Sequence, residues 1–264
     1  MQNGHYDISV IVTAHREGSL AHHTMNSLMR AIGSANSHAV ATEIVIVLDN
    51  PDTKTEEYFS RYHGAGMAVH RVDFGDPGLS RNHGVHVSSG KYVAFLDADD
   101  LFGKNWLRAA YDTAEKTSGH SVLHPEYSVC FERENLVAKH LGIYDDAFCL
   151  KNLLEYNYWS VFCFTQREVV TQTPFVKAAL DDGFGYEDWH WCCEVLSRGI
   201  PIMTVPETCV FVRRKLEGSR LSGHNQYKTI IPPSGLFDPE TFSRMLEEEG
   251  RRKSEKRDAD GRDR

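Results

Sequence analysis

Short apolar runs, each closed by polar or turn-forming residues, set the pattern of the first part of the chain. Ile8-Ser9-Val10-Ile11-Val12-Thr13-Ala14, Glu43-Ile44-Val45-Ile46-Val47-Leu48 and Tyr92-Val93-Ala94-Phe95-Leu96 are nearly continuous in apolar character. Runs of this length, rich in β-branched and aromatic residues, read as strands buried on both faces. Met67 to Val72 is a shorter, more mixed strand. Between the strands the spacing becomes helical. Met25, Leu28, Met29 and Ile32 share one face of a segment predicted to start with Ser19 as N-cap and to end at Gly33 to Asn36. Asp49-Asn50-Pro51 breaks the second strand, and Thr53-Lys54-Thr55-Glu56 has the form of a capping box for a helix to about His63. Gly75-Asp76-Pro77-Gly78 is a loop by composition, followed by a helical segment from Leu79 to Val87.

Strand then helix, repeated, predicts a mostly parallel sheet with helices on both faces. The right-handed crossover rule puts the C-terminal ends of these strands on one edge. His15, Asp49 and the acids from Asp97 to Asp100 are therefore expected to converge in one crevice. Later the alternation loosens. Trp106, Leu107, Ala110, Tyr111 and Ala114 mark an amphipathic helix. Val122 to Phe131 and Trp159 to Thr165 read as strands, Asp145 to Tyr156 as a helix, and Ile200 to Val212 as one or two short strands. The Gly-rich acidic stretch Asp181 to Asp188 leads into a helix whose core face carries Trp189, Cys192, Cys193 and Leu196. Trp191 falls off that face. Asp238-Pro239-Glu240 opens a last helix with an N-cap and proline at N1. From Glu247 to Arg264 nearly every residue is charged, as in a solvated helix end, a disordered tail or a linker to a further domain. The expected organisation is one α/β domain over 1–236, with halves of about 1–100 and 101–236, and a C-terminal helix and tail over 237–264.

Composition narrows the class. A hydrophobic content of 41% in 264 residues provides a core, and a formal net charge of -8 argues against a nucleic-acid binder. The six cysteines form no CxxC pair, which fits a reducing compartment. No signal peptide and no run of membrane-spanning length is read, so the expected location is cytoplasmic, with contact at the inner face of a membrane left open.

The chemistry gathers at Asp97-Ala98-Asp99-Asp100. A buried strand that runs into three carboxylates places them at its C-terminal end, where open α/β sheets bind ligands. Asp97 and Asp99 alternate along an extended backbone, and such oxygens suit a hard divalent cation, Mn²⁺ or Mg²⁺, arriving with substrate phosphates. Further candidates are Asp49 at another strand end, the acidic pair Glu187-Asp188 at a helix start, and the basic segment Arg213 to Arg220.

In this order the motifs resemble family 2 glycosyltransferases of the GT-A fold, a Rossmann-like, mostly parallel sheet with acceptor-side additions in the second half. The likeness runs over about residues 7 to 222. It rests on Val10 to Glu17, on Asp49 after Val47-Leu48, on Arg81-Asn82-His83-Gly84, on Asp97-Ala98-Asp99, and on Glu187-Asp188. The resemblance implies an inverting transferase that moves a sugar from a nucleotide-sugar donor, UDP-linked by preference, to a hydroxyl of a glycan, lipid-linked or other acceptor in polysaccharide or glycoconjugate synthesis. It implies a nucleotide and donor site of Thr13, His15, Glu17, Asp49, Arg81, Asp97 and Ala98. His15 would lie beside the base, Asp49 on the uracil N–H, Arg81 near base or diphosphate, and Asp97 on ribose or sugar. Asp99 would bind the metal, and Asp188 would be the general base. Arg213 or Arg214, with Ser219, would match a closing segment over the diphosphate, and Lys215 stands where many members have a histidine. Glu187 and Trp191 are assigned to the acceptor side. A metal-dependent sugar nucleotidyltransferase and a non-catalytic GT-A module of a larger protein are the alternative readings. A further domain or partner after the tail is left open.

Overall fold

The computed structural model describes residues 6–215 and 229–260. Its strands are β1 (Ile8–Ala14), β2 (Thr42–Asp49), β3 (Met67–Val72), β4 (Tyr92–Asp97), β5 (Leu101–Phe102), β6 (Val122–Glu132), β7 (Leu136–Lys139), β8 (Phe164–Gln166) and β9 (Ile202–Arg214). Its α-helices are α1 (Ala21–Asn36), α2 (Thr53–Phe59), α3 (Pro77–Val87), α4 (Trp106–Lys116), α5 (Arg167–Gln172), α6 (Glu187–Ser197) and α7 (Pro239–Asp260). The sheet order is β3-β2-β1-β4-β8-β6-β9-β5, with β7 paired to β6.

β1, β2, β3 and β4 are parallel, and β8 turns antiparallel against β4. The chain leaves β1 for β2 on one side and returns to β4 on the other. The gap between the C-terminal ends of β1 and β4 is thus the topological switch point, the usual ligand crevice of such sheets. The register sets Thr13 opposite both Val47 and Asp97.

Side chains alternate across this sheet. Val10, Val12, Ile44, Ile46, Ala94 and Leu96 face one core layer, closed by α1 and α4 through Met25, Leu28, Trp106 and Leu107. Ile11, Val45, Val47, Val93 and Phe95 face the other, with Val85, Phe175, Trp191 and Cys192. A strand buried on both faces has no polar side to present, which is why its runs are continuous. Helix α3 lies very close to the sheet: a Cβ at Gly84 would come 2.3 Å from Ile11 Cγ2. Glycine is what lets the helix approach, and the approach carries Arg81 to the strand ends.

Several local expectations are corrected. Ser19 lies in a 3-10 turn, Gly18–Leu20, and α1 begins after it with no side-chain cap. Met29 is 46% exposed and lies outside the buried stripe. Asp52 rather than Thr53 caps α2, accepting from Thr55 N at 2.9 Å, and the helix stops at Phe59. Asp76 caps α3, which begins at Pro77 inside the expected loop. The helix expected over Asp145 to Tyr156 is reduced to a 3-10 turn, Leu150–Leu154. There the Asp145 carboxylate accepts from Gly142 N, and the Tyr158 hydroxyl meets the backbone of Cys149, so local polar bonds displace helical ones. Only the end of Trp159 to Thr165 is strand, because Trp159 turns inward to donate to the Leu141 carbonyl at 2.8 Å. Ile202–Arg214 is one long strand, irregular opposite Pro125 and Tyr127.

Helix α7 continues through the expected tail. Phe242, Met245 and Leu246 pack on the second core layer, and Glu249 accepts from Leu150 N at 3.0 Å. Among the described residues no helix is long and apolar enough to cross a membrane.

Candidate active site

A cleft of about 790 Å³ opens over the C-terminal ends of β1, β2 and β4, bounded further along by β6, the 155–162 segment, the start of α6 and the end of β9. Its size is that of a site for a nucleotide-sized ligand. Thr13, His15, Glu17, Asp49, Arg81, Asp97, Ala98, Asp99, Glu187, Asp188, Arg213 and Arg214 all line it. Ser219 lies outside the described residues.

Asp97 ends β4. Its Oδ1 accepts from Thr13 Oγ1 at 2.6 Å, and Arg81 Nη2 donates to both its oxygens at 3.0 and 3.2 Å. Arg81 Nη1 donates to Glu187 Oε1 at 3.0 Å. One guanidinium from α3 thus joins the end of β4 to the start of α6. Arg81 is 3% exposed. Burial alone would weaken its charge, but Asp97 and Glu187 together raise its pKa above the ordinary arginine value. Arg81 lines the cleft from within this brace, and Glu187 is buried in the same pair. Ala98 is buried, with its carbonyl accepting from Thr24 Oγ1 at 2.9 Å.

Asp49 holds a loop. Its oxygens accept from the amides of Phe74, Gly75 and Asp76 and from the Ser80 hydroxyl, each at 2.9 Å. A carboxylate has about four acceptor directions, so the expected bond from a uracil N–H has none left. The Asp49 carbonyl in turn meets His15 Nδ1 at 2.6 Å. The exposed His15 ring is thereby fixed at the rim of the cleft.

Asp99 and Asp100 sit in different surroundings. Burial, with Asp99 and Asp97 adjacent, pushes the Asp100 carboxyl well above the usual carboxylate range, although its Oδ1 accepts from Arg213 N at 2.6 Å. Asp100 therefore ties β4 to β9. Asp99 is raised by burial and held down by Lys215, whose Nζ lies 2.7 Å from its Oδ2. Lys215 also stands 3.6 Å from Glu17 Oε1. Arg213 is engaged by Glu132, the Asp99 carbonyl and the Phe131 ring, and Arg214 by Glu134 at 3.8 Å.

Asp188 lies in the first turn of α6, partly exposed to the cleft. Its helix-terminal position alone predicts an ionised carboxylate. Burial and the neighbouring Glu187 oppose this and push it up to about 6, against Arg81 and the Trp189 amide, which lower it. Tyr186 precedes it in a left-handed conformation, φ 56°, strained for a non-glycine residue.

The acceptor assignment of the tryptophans is reversed. Trp191 is 2% exposed, stacks on Phe175 at 5.0 Å and donates to the Thr173 carbonyl at 2.6 Å. Trp189, expected in the core, lines the cleft with Tyr156, Tyr158, Trp159 and Tyr186. Trp189 also packs on the edge of the second core layer, so one ring borders both core and cleft. Ser80 and Asp76 were also missed, though Asp76-Pro77 has the form of a cap and first helical residue.

A resident divalent ion would compete with cations already at these acids: Arg81 pairs with Asp97 and Lys215 with Asp99, while Asp100 accepts from the Arg213 amide. Among the described residues no three or more His, Cys, Asp or Glu groups surround a common point.

The sheet order and strand-end cleft define the GT-A class of nucleotide-sugar-binding folds. Solved structures agree. Residues cover 82% of this chain and 60% of Staphylococcus aureus TarS 1-349 in complex with UDP-GlcNAc, with a TM-score of 0.65 and 17% identity. A mannosyltransferase from Pyrobaculum calidifontis in complex with GDP-Man and Mn²⁺ gives a TM-score of 0.57 at 14% identity, over 89% of this chain and 68% of that one. The model of glycosyl transferase family 2 matches residues 9–172, and the chain belongs to that family. The chain is 31% identical over 103 residues to the Escherichia coli K12 glycosyltransferase YibD, spanning 38% of this chain and 28% of that protein. It is 24% identical over 119 residues to the S. aureus poly(ribitol-phosphate) beta-N-acetylglucosaminyltransferase TarP, 44% of this chain and 35% of that protein. The chain thus spans about a third of the length of these two relatives.

Proposed function

We propose that this chain transfers a sugar, with inversion, from a nucleoside-diphosphate sugar to a hydroxyl of a glycan or other polyol acceptor, and that Asp188 is the general base. The observation that carries this is the Asp188 carboxyl at the start of α6, pushed up to about 6 and opening on the same cleft as Asp97, Asp99 and Asp100. A base of that strength is deprotonated at neutral pH yet accepts a proton readily. An inverting transfer requires one such base, set apart from the groups that face the leaving diphosphate.

The donor half of the cleft is assigned to the nucleotide, with His15 at the rim beside the base and Thr13, Asp97 and Ala98 shaping the wall under ribose and sugar. A UDP-sugar is the first donor to test, since a related structure holds UDP-GlcNAc. The aromatic rings of Tyr156, Trp159 and Trp189 line the other half, and such rings present apolar faces to sugar rings. That supports a glycan acceptor, and the reading takes the reaction to belong to polysaccharide or glycoconjugate synthesis in the cytoplasm.

The test is Asp188→Asn with donor, acceptor panel and product NMR. Transfer is expected to fall by about 10²–10⁴-fold, with nucleotide affinity retained and wild-type product of inverted anomeric configuration. Full transfer in the variant, or loss of nucleotide binding along with transfer, overturns the assignment.

A further inference from the structure

The acids at the strand ends already carry a cation of the protein's own. Lys215 directly follows β9, so the sheet itself delivers its ammonium to the cleft. There it lies 2.7 Å from Asp99 Oδ2 and 3.6 Å from Glu17 Oε1, two carboxylates that follow different strands. The side chain is 25% exposed and lines the cleft. An ammonium has three N–H donors. Two carboxylates face it, which leaves donor capacity on a side chain that lines the cleft.

A divalent ion on Asp99 would have to sit against this nitrogen, and the like charges repel. Of the adjacent carboxylates, Asp97 is paired with Arg81 and Asp100 accepts from the Arg213 amide. A lysine ammonium is itself a good partner for phosphate oxygens.

We propose that Lys215 supplies the positive charge that a departing nucleoside diphosphate needs, in place of a divalent ion, so that this chain binds donor and transfers sugar without added metal. The proposal rests on the nucleotide-sugar reading of the cleft. In the step, the acceptor oxygen bonds to the anomeric carbon while the bond from that carbon to the diphosphate oxygen breaks. The electron pair leaves with the diphosphate, and the acceptor proton goes to Asp188. Lys215 transfers no proton. It donates hydrogen bonds to the diphosphate and remains an ammonium. Burial by itself would favour the neutral amine, but Asp99 and Glu17 hold its pKa above the ordinary lysine value.

The test is calorimetric titration of UDP and of GDP into wild type, Lys215→Ala and Lys215→Arg, in chelator and in Mn²⁺. Binding of Mn²⁺ alone is followed by electron paramagnetic resonance. Wild type is expected to bind nucleotide equally well in both conditions. Lys215→Ala should lose about tenfold or more in chelator and regain affinity when Mn²⁺ is added. Lys215→Arg should keep chelator-resistant binding. Mn²⁺ alone should bind Lys215→Ala more tightly than wild type. Wild-type binding that needs Mn²⁺, or a Lys215→Ala variant that behaves as wild type in chelator, overturns the proposal. If neither nucleotide binds under any condition, the donor reading fails by itself. Equal Mn²⁺ affinity in wild type and Lys215→Ala then overturns the placement of the lysine at the cation position.

Discussion

Arg81 and Asp188 show how one buried cation can tune two roles. Arg81 pairs with Asp97 and Glu187, while burial and then Glu187 raise Asp188, which Arg81 itself holds down. The base is therefore stronger than an exposed aspartate because its neighbour is charged and its surroundings are dry. This has a pH consequence of definite sign. Only the deprotonated form of Asp188 accepts the acceptor's proton. As pH falls through about 6, that form is titrated away. The transfer rate is expected to be level above neutrality and to fall toward tenfold per pH unit well below 6. A pH–rate profile at saturating donor and acceptor checks it. A limb centred near 4 would mean that Asp188 behaves as an exposed carboxylate or is not the base. The carboxylates themselves were legible in the sequence because charged residues after an apolar run must lie at its end. Their partners were not. Nothing local in Ser80-Arg81-Asn82 tells that Arg81 turns inward to two acids, one of them 106 residues away.

At the scale of elements, the parallel strands and the convergence of His15, Asp49 and Asp97 at one edge were readable. Period and crossover handedness fix them without detail. The elements that sequence spacing misplaced are those decided by single polar bonds. Asp52 caps α2 where Thr53 was expected, and the 145–156 stretch is held by Asp145 and Tyr158 instead of forming a helix. Asp49 is the case with a functional consequence. The loop from Phe74 to Asp76 has its amides aimed at one carboxylate, which also accepts from the Ser80 hydroxyl of α3, and that loop leads into α3 and Arg81. Asp49→Asn replaces an acceptor oxygen by a donor and breaks at least one of these bonds. It is expected to lower stability by about 1.5–3 kcal/mol, the range for bonds to a charged group, measured by urea unfolding. The ratio of UDP to GDP affinity should be unchanged. A selective loss of UDP with stability intact would restore Asp49 to a base-reading role.

At the scale of the molecule, the cleft draws on both halves of the chain, from Thr13 on β1 to Lys215 after β9. The match to the family model ends at 172, before Asp188 and Lys215, so both lie in the part of the chain outside the matched span. Helix α7 secures that part. Its charged sequence reads equally as a solvated helix end, a tail or a linker, because only one residue in each few is apolar. Yet Glu249 is 8% exposed, accepts from Leu150 N at 3.0 Å and pairs with Lys253 Nζ at 2.6 Å. The bond matters because the 148–154 segment has almost no helix of its own to satisfy its amides and leads directly into the aromatic wall at Tyr156 and Trp159. Glu249→Ala leaves a buried N–H without an acceptor, a cost of about 1–3 kcal/mol. Glu249→Gln keeps a carbonyl oxygen there and should recover most of it. Urea unfolding of the two variants checks the energy, and acceptor KM checks the connection to the wall. If α7 is an integral buttress, Glu249→Ala raises acceptor KM while nucleotide affinity stays as in wild type. If both variants unfold as wild type does, the helix is only laid against the domain, and the acceptor wall stands without it.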